Sequence, residues 1–237
     1  LYDKVYTSQD WWHVFRFHQL TLHSLSQKTY GILDACWNGF AATESFYGKY
    51  DPADVRRTQW LEGPQYDKEG QPLLLNDGSQ LDYTPHITSL FDSSNPARAN
   101  EGVRSAKYEY ADGLQGECMN NDYVVYRYAD VLMMKGEALV RQGHADLAVP
   151  LFNEVRKRTG LPDYEAADLT LDEIYDERGR EFAWEGLRRQ DMIRFGKWCE
   201  PRDLKPAVSP EYTKLYPIPA DIRKTNANLK QNDGYPD

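Results

Sequence analysis

Tyr128-Ala129-Asp130-Val131-Leu132-Met133-Met134-Lys135-Gly136-Glu137-Ala138-Leu139-Val140-Arg141, followed by Gln142-Gly143, is the stretch on which the reading of the fold turns. Tyr128, Val131, Leu132, Lys135 and Leu139 recur at helical spacing, and Gly143 supplies a left-handed stop. A second helix is expected from about Ala145 to Arg158, burying Ala148, Leu151, Phe152 and Val155 before Gly160-Leu161-Pro162 ends it. A third is expected from Thr170. There Thr170-x-x-Glu173 fits a capping box, in which each side chain satisfies the other residue's free backbone donor. Its apolar face takes Ile174 and Phe182, with Trp184 a further candidate.

The first two helices fit one 34-residue helix–turn–helix repeat of tetratricopeptide type. Gly136, Ala148 and Phe152 fall at its small, small and aromatic positions, with Pro162 just after. Small residues there let two antiparallel helices approach closely. Pro150 departs from the pattern, since it removes one backbone hydrogen bond and is expected to kink the second helix. One repeat cannot bury its own face, so packing partners are expected elsewhere in the chain or in a further segment.

On either side the pattern changes. Residues 1–121 are irregular and aromatic-rich, broken by turns such as Asn38-Gly39, Asp51-Pro52 and Asn76-Asp77-Gly78. Short strands or brief helices are expected at Asp10–Phe17, Leu73–Leu75 and Ser105–Tyr110. The expected organisation is a loop-rich aromatic subdomain over 1–121 that carries the ligand site, a helical scaffold over 122–200, and a Pro- and Asn-rich tail over 201–237 packed on that scaffold.

Composition narrows the function. Lys and Arg total 28 against 37 for Asp and Glu in 237 residues, a formal charge of -9. Nucleic acid and anionic membrane surfaces both call for a basic face, so neither is expected as a partner. No apolar run approaches the ~20 residues of a spanning helix. Cys36, Cys118 and Cys199 are too few and scattered for a disulfide framework or metal knuckle. The histidines at 13, 18, 23, 86 and 144 form no metal-ligand spacing. No nucleophile elbow, phosphate loop or dinucleotide fingerprint occurs, and no cofactor or metal is expected.

Two clusters carry the candidate chemistry. Glu177, Glu181 and Glu185 lie four residues apart on one helix face, a spacing that paired glycosidic carboxylates or a carboxylate-bridged metal could use. Arg178, Arg180, Arg188 and Arg189 are interleaved with them, however, and a nearby guanidinium keeps a carboxylate ionised. A structural ion-pair network is therefore expected from Glu177, Arg178, Arg180, Glu181, Glu185, Arg188 and Asp191. The aromatics form the second cluster. Sugar rings present apolar C–H faces and polar rims, so a site for them pairs flat rings with hydroxyl-binding groups. Trp37 beside Asn38 has both parts, and Trp12, Tyr30, Trp60 and Tyr66 crowd the same segment.

An ordered set of motifs then runs through the whole chain. It includes Trp37-Asn38-Gly39, Phe46-Tyr47, Asp54-Val55-Arg56, Trp60-Leu61-x-Gly63-Pro64-Gln65-Tyr66-Asp67, Ser94-Asn95-Pro96-Ala97-Arg98, and Tyr126 through Met133. It continues with Asn153-Glu154-Val155-Arg156, Glu177-Arg178-x-Arg180-Glu181-Phe182, Glu185-Gly186-x-Arg188-x-x-Asp191, Tyr216-Pro217-Ile218-Pro219 and Gln231-Asn232-x-Gly234-Tyr235. In this set the chain resembles the SusD/RagB family of glycan-binding outer-membrane lipoproteins. The resemblance implies a mainly α, SusD-like fold with tetratricopeptide-type helices and a loop-rich subdomain with short strands. It also implies that the chain is the C-terminal portion of a longer, lipid-anchored cell-surface protein, its membrane attachment lying outside these residues. The implied activity is binding without catalysis, with capture of an oligosaccharide or polysaccharide and delivery to a SusC-like TonB-dependent transporter. A protein-docking scaffold without glycan affinity and a glycoside hydrolase are the alternatives.

Overall fold

The computed structural model describes residues 16–33, 35–89, 96–108, 110, 123–226 and 228–236. Trp12, His13, Cys118 and most of the Asp10–Phe17 element lie outside them. Two compact units divide the chain, Leu1–Glu185 and Gly186–Asp237.

In the first unit, short helices α1 (Phe17–Thr21), α2 (Gln27–Tyr30) and α3 (Glu44–Tyr47) alternate with loops and four two-residue strands. Strand β1 (Trp60–Leu61) pairs antiparallel with β4 (Arg104–Ser105), Trp60 opposite Ser105. Strand β2 (Gly63–Pro64) pairs antiparallel with β3 (Asp82–Tyr83), Gly63 opposite Tyr83. Such short ladders give little stability alone. Three apolar clusters support them: Tyr47, Tyr50, Trp60 and Val103; Leu22, Ile32 and Cys36; and Leu73, Leu81 and Tyr83. Leu73–Leu75 is extended but joins its neighbours through isolated bridges, with Asp77-Gly78 turning the chain between them.

Helices α4 (Tyr128–Arg141) and α5 (Ala145–Arg156) form the expected hairpin, and α6 (Leu171–Glu181) packs on α4. Gly143, at φ +84°, ends α4: its N–H donates to Val140 O at 3.0 Å and that of His144 to Leu139 O at 2.9 Å. This is a Schellman closure, which satisfies two terminal carbonyls and turns the chain sharply. Gly136 meets the Phe152 ring so closely that a Cβ would overlap its Cε2 and Cδ2 atoms. The small and aromatic positions of the repeat thus specify the approach of α4 to α5. Pro150 does not break α5, because it lies on the exposed side, where water can reach the carbonyl it leaves unpaired.

Helix α6 differs from expectation in two respects. Only half of the capping box forms. Thr170 Oγ1 accepts from Glu173 N at 3.1 Å, but Glu173 Oε1 accepts from Tyr164 Oη at 2.6 Å and from Arg180 instead of reaching back. The Thr170 N–H already donates to Asp168 O at 2.8 Å, so the Glu173 carboxylate goes to the buried guanidinium in a charge-assisted bond. The helix also ends at Glu181, so Trp184 lies beyond it, in a left-handed backbone at φ +69°.

The second unit contains α7 (Arg188–Arg194) and α8 (Ala220–Thr225). Arg189 stacks over Trp198 and Tyr216 at 4.7 and 4.0 Å and donates to the carbonyls of Thr213 and Lys214. Gln231 brackets Ile218, accepting from its N–H at 2.8 Å and donating to its carbonyl at 3.1 Å, while Asn232 Nδ2 donates to Tyr216 O. The two tail motifs therefore exist to hold each other. Among the described residues, no helix is long and apolar enough to cross a membrane.

Candidate functional site

The turn from Trp37 to Phe40 is laid against the end of α1 by four successive amides. Trp37 N donates to Gln19 O at 2.7 Å and Asn38 N to Leu22 O at 2.9 Å, while Gly39 and Phe40 both donate to Leu20 O at 2.8 and 3.0 Å. Asn38 sits at φ +52°, a region that Asn tolerates better than most residues. Its Oδ1 accepts from Arg104 Nε and Nη2 at 2.9 and 2.7 Å.

Arg104 is 2% exposed, among the largest fully buried side chains of the described residues. Its remaining donors go to the carbonyls of Glu101, Gly102 and Ala99, and its guanidinium lies 4.7 Å over the Tyr83 ring. No carboxylate pairs with it among the described residues. Burial accordingly pushes its pKa down to about 10, which still leaves it charged at neutral pH. A fork of fixed donors is what so many converging acceptors require. Asn38 is thus part of the frame, and the residue it presents is Trp37, 59% exposed on a backbone tied at both ends.

Of the other expected site residues, Trp12 lies outside the described residues, and Tyr66, Tyr30 and Trp60 differ in exposure. Tyr66 is 47% exposed, and its carbonyl accepts from Thr29 Oγ1 at 2.6 Å. Tyr30, next to Thr29, is partly buried and packs on Tyr110 at 4.4 Å. Trp60 is a correction. It is only 7% exposed, boxed edge-to-face by Tyr50 and Phe46 at 6.2 and 6.1 Å, so no flat ligand can reach its face. Its place at the β1–β4 pairing draws it into the core. Phe40, which sequence reasoning had not selected, is 54% exposed, beside Trp184 at 6.2 Å. The signal was available, since a tight Asn-Gly turn puts the residue after Gly on the same outer edge.

The carboxylates form a second, interior arrangement. Arg56 joins Asp54, Glu177 and Glu181 at 2.8, 2.8 and 3.1 Å, and Arg180 reaches Glu177 Oε2 at 2.6 Å. Arg127 and Arg158 close on Glu181, while Lys107 and Arg127 close on Glu185. Arg178 pairs with Asp130 at 2.9 Å, both buried. Asp191, in the second unit, accepts from Arg194 at 2.7 Å on α7, which also carries Arg188. Burial alone would raise the Glu177 pKa, but Arg56 and Arg180 overcome it and hold the carboxyl at about 2. Glu185 is likewise lowered, against the effect of burial, by Arg127 and Lys107. Carboxylates held this way cannot donate a proton near neutrality. Among the described residues, no group of three or more His, Cys, Asp or Glu side chains is placed to hold a metal ion.

A sequence model of the SusD family matches residues 9–235, almost the whole chain. The chain belongs to the SusD family. Starch-binding protein SusD of Bacteroides thetaiotaomicron is 34% identical over 125 residues, which is 49% of this chain and 22% of that protein. SusD-like protein P2 of Formosa agariphila is 26% identical over 219 residues, 84% of this chain and 41% of its own length. Surface glycan-binding protein A from Bacteroides thetaiotaomicron, solved in complex with laminarihexaose, superposes with a TM-score of 0.65 at 24% identity. That match covers 92% of this chain and 46% of that one. The SusD-like fold expected from the motifs is the fold observed, and the chain spans under half the length of these relatives.

Proposed function

We propose that this SusD-family chain binds an oligosaccharide or polysaccharide without cleaving it, at the exposed aromatic edge centred on Trp37. Within a longer, lipid-anchored protein at the outer-membrane surface, that binding would hand the glycan to a SusC-like TonB-dependent transporter. The observation that carries the reading is the Trp37 loop. A large ring stands exposed while its backbone is fixed by four hydrogen bonds and a buried Arg104–Asn38 pair. Exposing an ordered Trp has no value to a core, whereas a ring ordered in advance lowers the entropic cost of capturing a ligand. The starch-binding and laminarihexaose-bound relatives support a glucan as the first class to try. The Arg-held carboxylates argue against the hydrolase alternative.

Titration of the chain with a polysaccharide panel, read by intrinsic Trp fluorescence with reducing ends assayed in parallel, tests this. Saturable binding without new reducing ends is expected. Trp37→Ala should weaken it about tenfold or more while moving stability by less than about 0.5 kcal/mol, since an exposed side chain contributes little to the core. No binding across the panel, with partner docking intact, would favour a pure docking scaffold.

A further inference from the structure

Trp184 is held at two local disadvantages. A non-glycine residue at φ +69° is strained by roughly 1–3 kcal/mol, and its buried Nε1 finds no acceptor among the described residues. Its neighbour fixes it there. Glu185 is 3% exposed, its carboxylate clamped by Lys107 and by Arg127 at 2.8 and 2.9 Å. Its N–H donates to Phe182 O at 3.0 Å, and its carbonyl accepts from Tyr123 Oη at 3.0 Å. With its backbone turned this way, Trp184 meets Phe17 edge-on at 5.6 Å on one side and Phe40 at 6.2 Å on the other. The clamp therefore ends in an exposed ring, Phe40.

We propose that Phe40 is a second sugar-contacting ring, that Trp184 is the positioning residue beneath it, and that the pair Trp37–Phe40 selects ligands longer than a disaccharide. This rests on the glycan reading above. Trp37 and Phe40 are three residues apart, so their Cα atoms lie within about 11 Å. Both are more than half exposed, and both hang from the same short edge, bonded to Gln19, Leu20 and Leu22. Two flat faces at that spacing can engage separate sugar rings of one chain, and linking two weak contacts multiplies their effect. A single ring would bind short and long ligands alike. The strain at Trp184 is the kind that persists where a side chain must be aimed.

The test is calorimetric titration of laminarihexaose and maltohexaose, each beside its disaccharide (laminaribiose or maltose), with wild type, Trp37→Ala, Phe40→Ala and Trp184→Ala. For whichever hexasaccharide binds, Phe40→Ala should weaken it about tenfold and leave the disaccharide within twofold. Trp184→Ala should do the same if it folds. Phe40→Ala, at an exposed position, carries the test if Trp184→Ala does not. An equal loss on both lengths, or none on either while Trp37→Ala abolishes binding, overturns the two-ring platform alone. Failure of the wild type to bind either hexasaccharide overturns the platform for glucans, and failure across the wider panel overturns the glycan reading with it.

Discussion

Glu177→Ala is expected to lower folding stability by about 3–5 kcal/mol, measured as a drop in the urea midpoint at an unchanged slope. Glu177 is 1% exposed and is the carboxylate shared by Arg56 and Arg180. Removing it leaves two buried guanidinium groups short of a counter-charge, with Asp54 and Glu181 remaining to Arg56 and Glu173 to Arg180 among the described residues. Breaking a buried pair costs far more than forming one contributes, because the surviving charge is neither solvated nor paired. The pH dependence has a definite sign. Its folded pKa, about 2, lies below the ordinary 4.5, so the folded state favours the ionised form. That contribution, about 3 kcal/mol, is complete above pH 4.5 and is lost as pH falls toward 2. Wild-type stability should therefore decline across that window, and Glu177→Gln should flatten the decline. A Gln variant with wild-type stability and the same acid slope would show the network to be incidental.

The second large effect is expected at Arg104. Truncation to Ala removes a fully buried side chain and leaves Asn38 Oδ1 and the carbonyls of residues 99, 101 and 102 without their donor. Removing an unpaired buried charge recovers some desolvation energy, so the two effects oppose each other. Several orphaned acceptors at about 1–3 kcal/mol each outweigh it, even after water enters the space. A net loss of about 3 kcal/mol is expected, together with a loss of glycan affinity, because Asn38 no longer holds Trp37 in place. Arg104→Met separates the roles. It fills the space and stacks on Tyr83 but donates nothing, so it should retain more stability than Ala while binding as poorly. Wild-type affinity in Arg104→Met would remove Arg104 from the site's support.

The helical part of this chain could be read from sequence because helix spacing and turn chemistry are local signals. Gly136 against Phe152 and Gly143 at the hairpin both act where the pattern placed them. The charged cluster was recognisable as ion-paired from the alternation of Glu and Arg. Arg56, Lys107 and Arg127 were not, because they reach Glu177, Glu181 and Glu185 from 54 to 125 positions away. The aromatic edge was half legible. Trp37 was marked by its Asn-Gly turn, but an indole's exposure depends on distant partners, and no local feature separates Trp60, boxed by Tyr50 and Phe46, from Trp37. Arg104 was missed outright, since a lone Arg between Val103 and Ser105 looks like any exposed one.

The buried charges of α6 also bear on the order in which the molecule assembles. Carboxylates and guanidinium groups stay hydrated until their partners are nearly in place, whereas the Leu22, Leu73 and Tyr50 clusters gain from the first loss of water. The charged lattice should therefore close after the rate-limiting step. In a chevron, Glu177→Gln would raise the unfolding arm without changing its slope and leave the refolding arm nearly unmoved. The lattice then acts as a latch on lifetime, set by how slowly the native chain lets go.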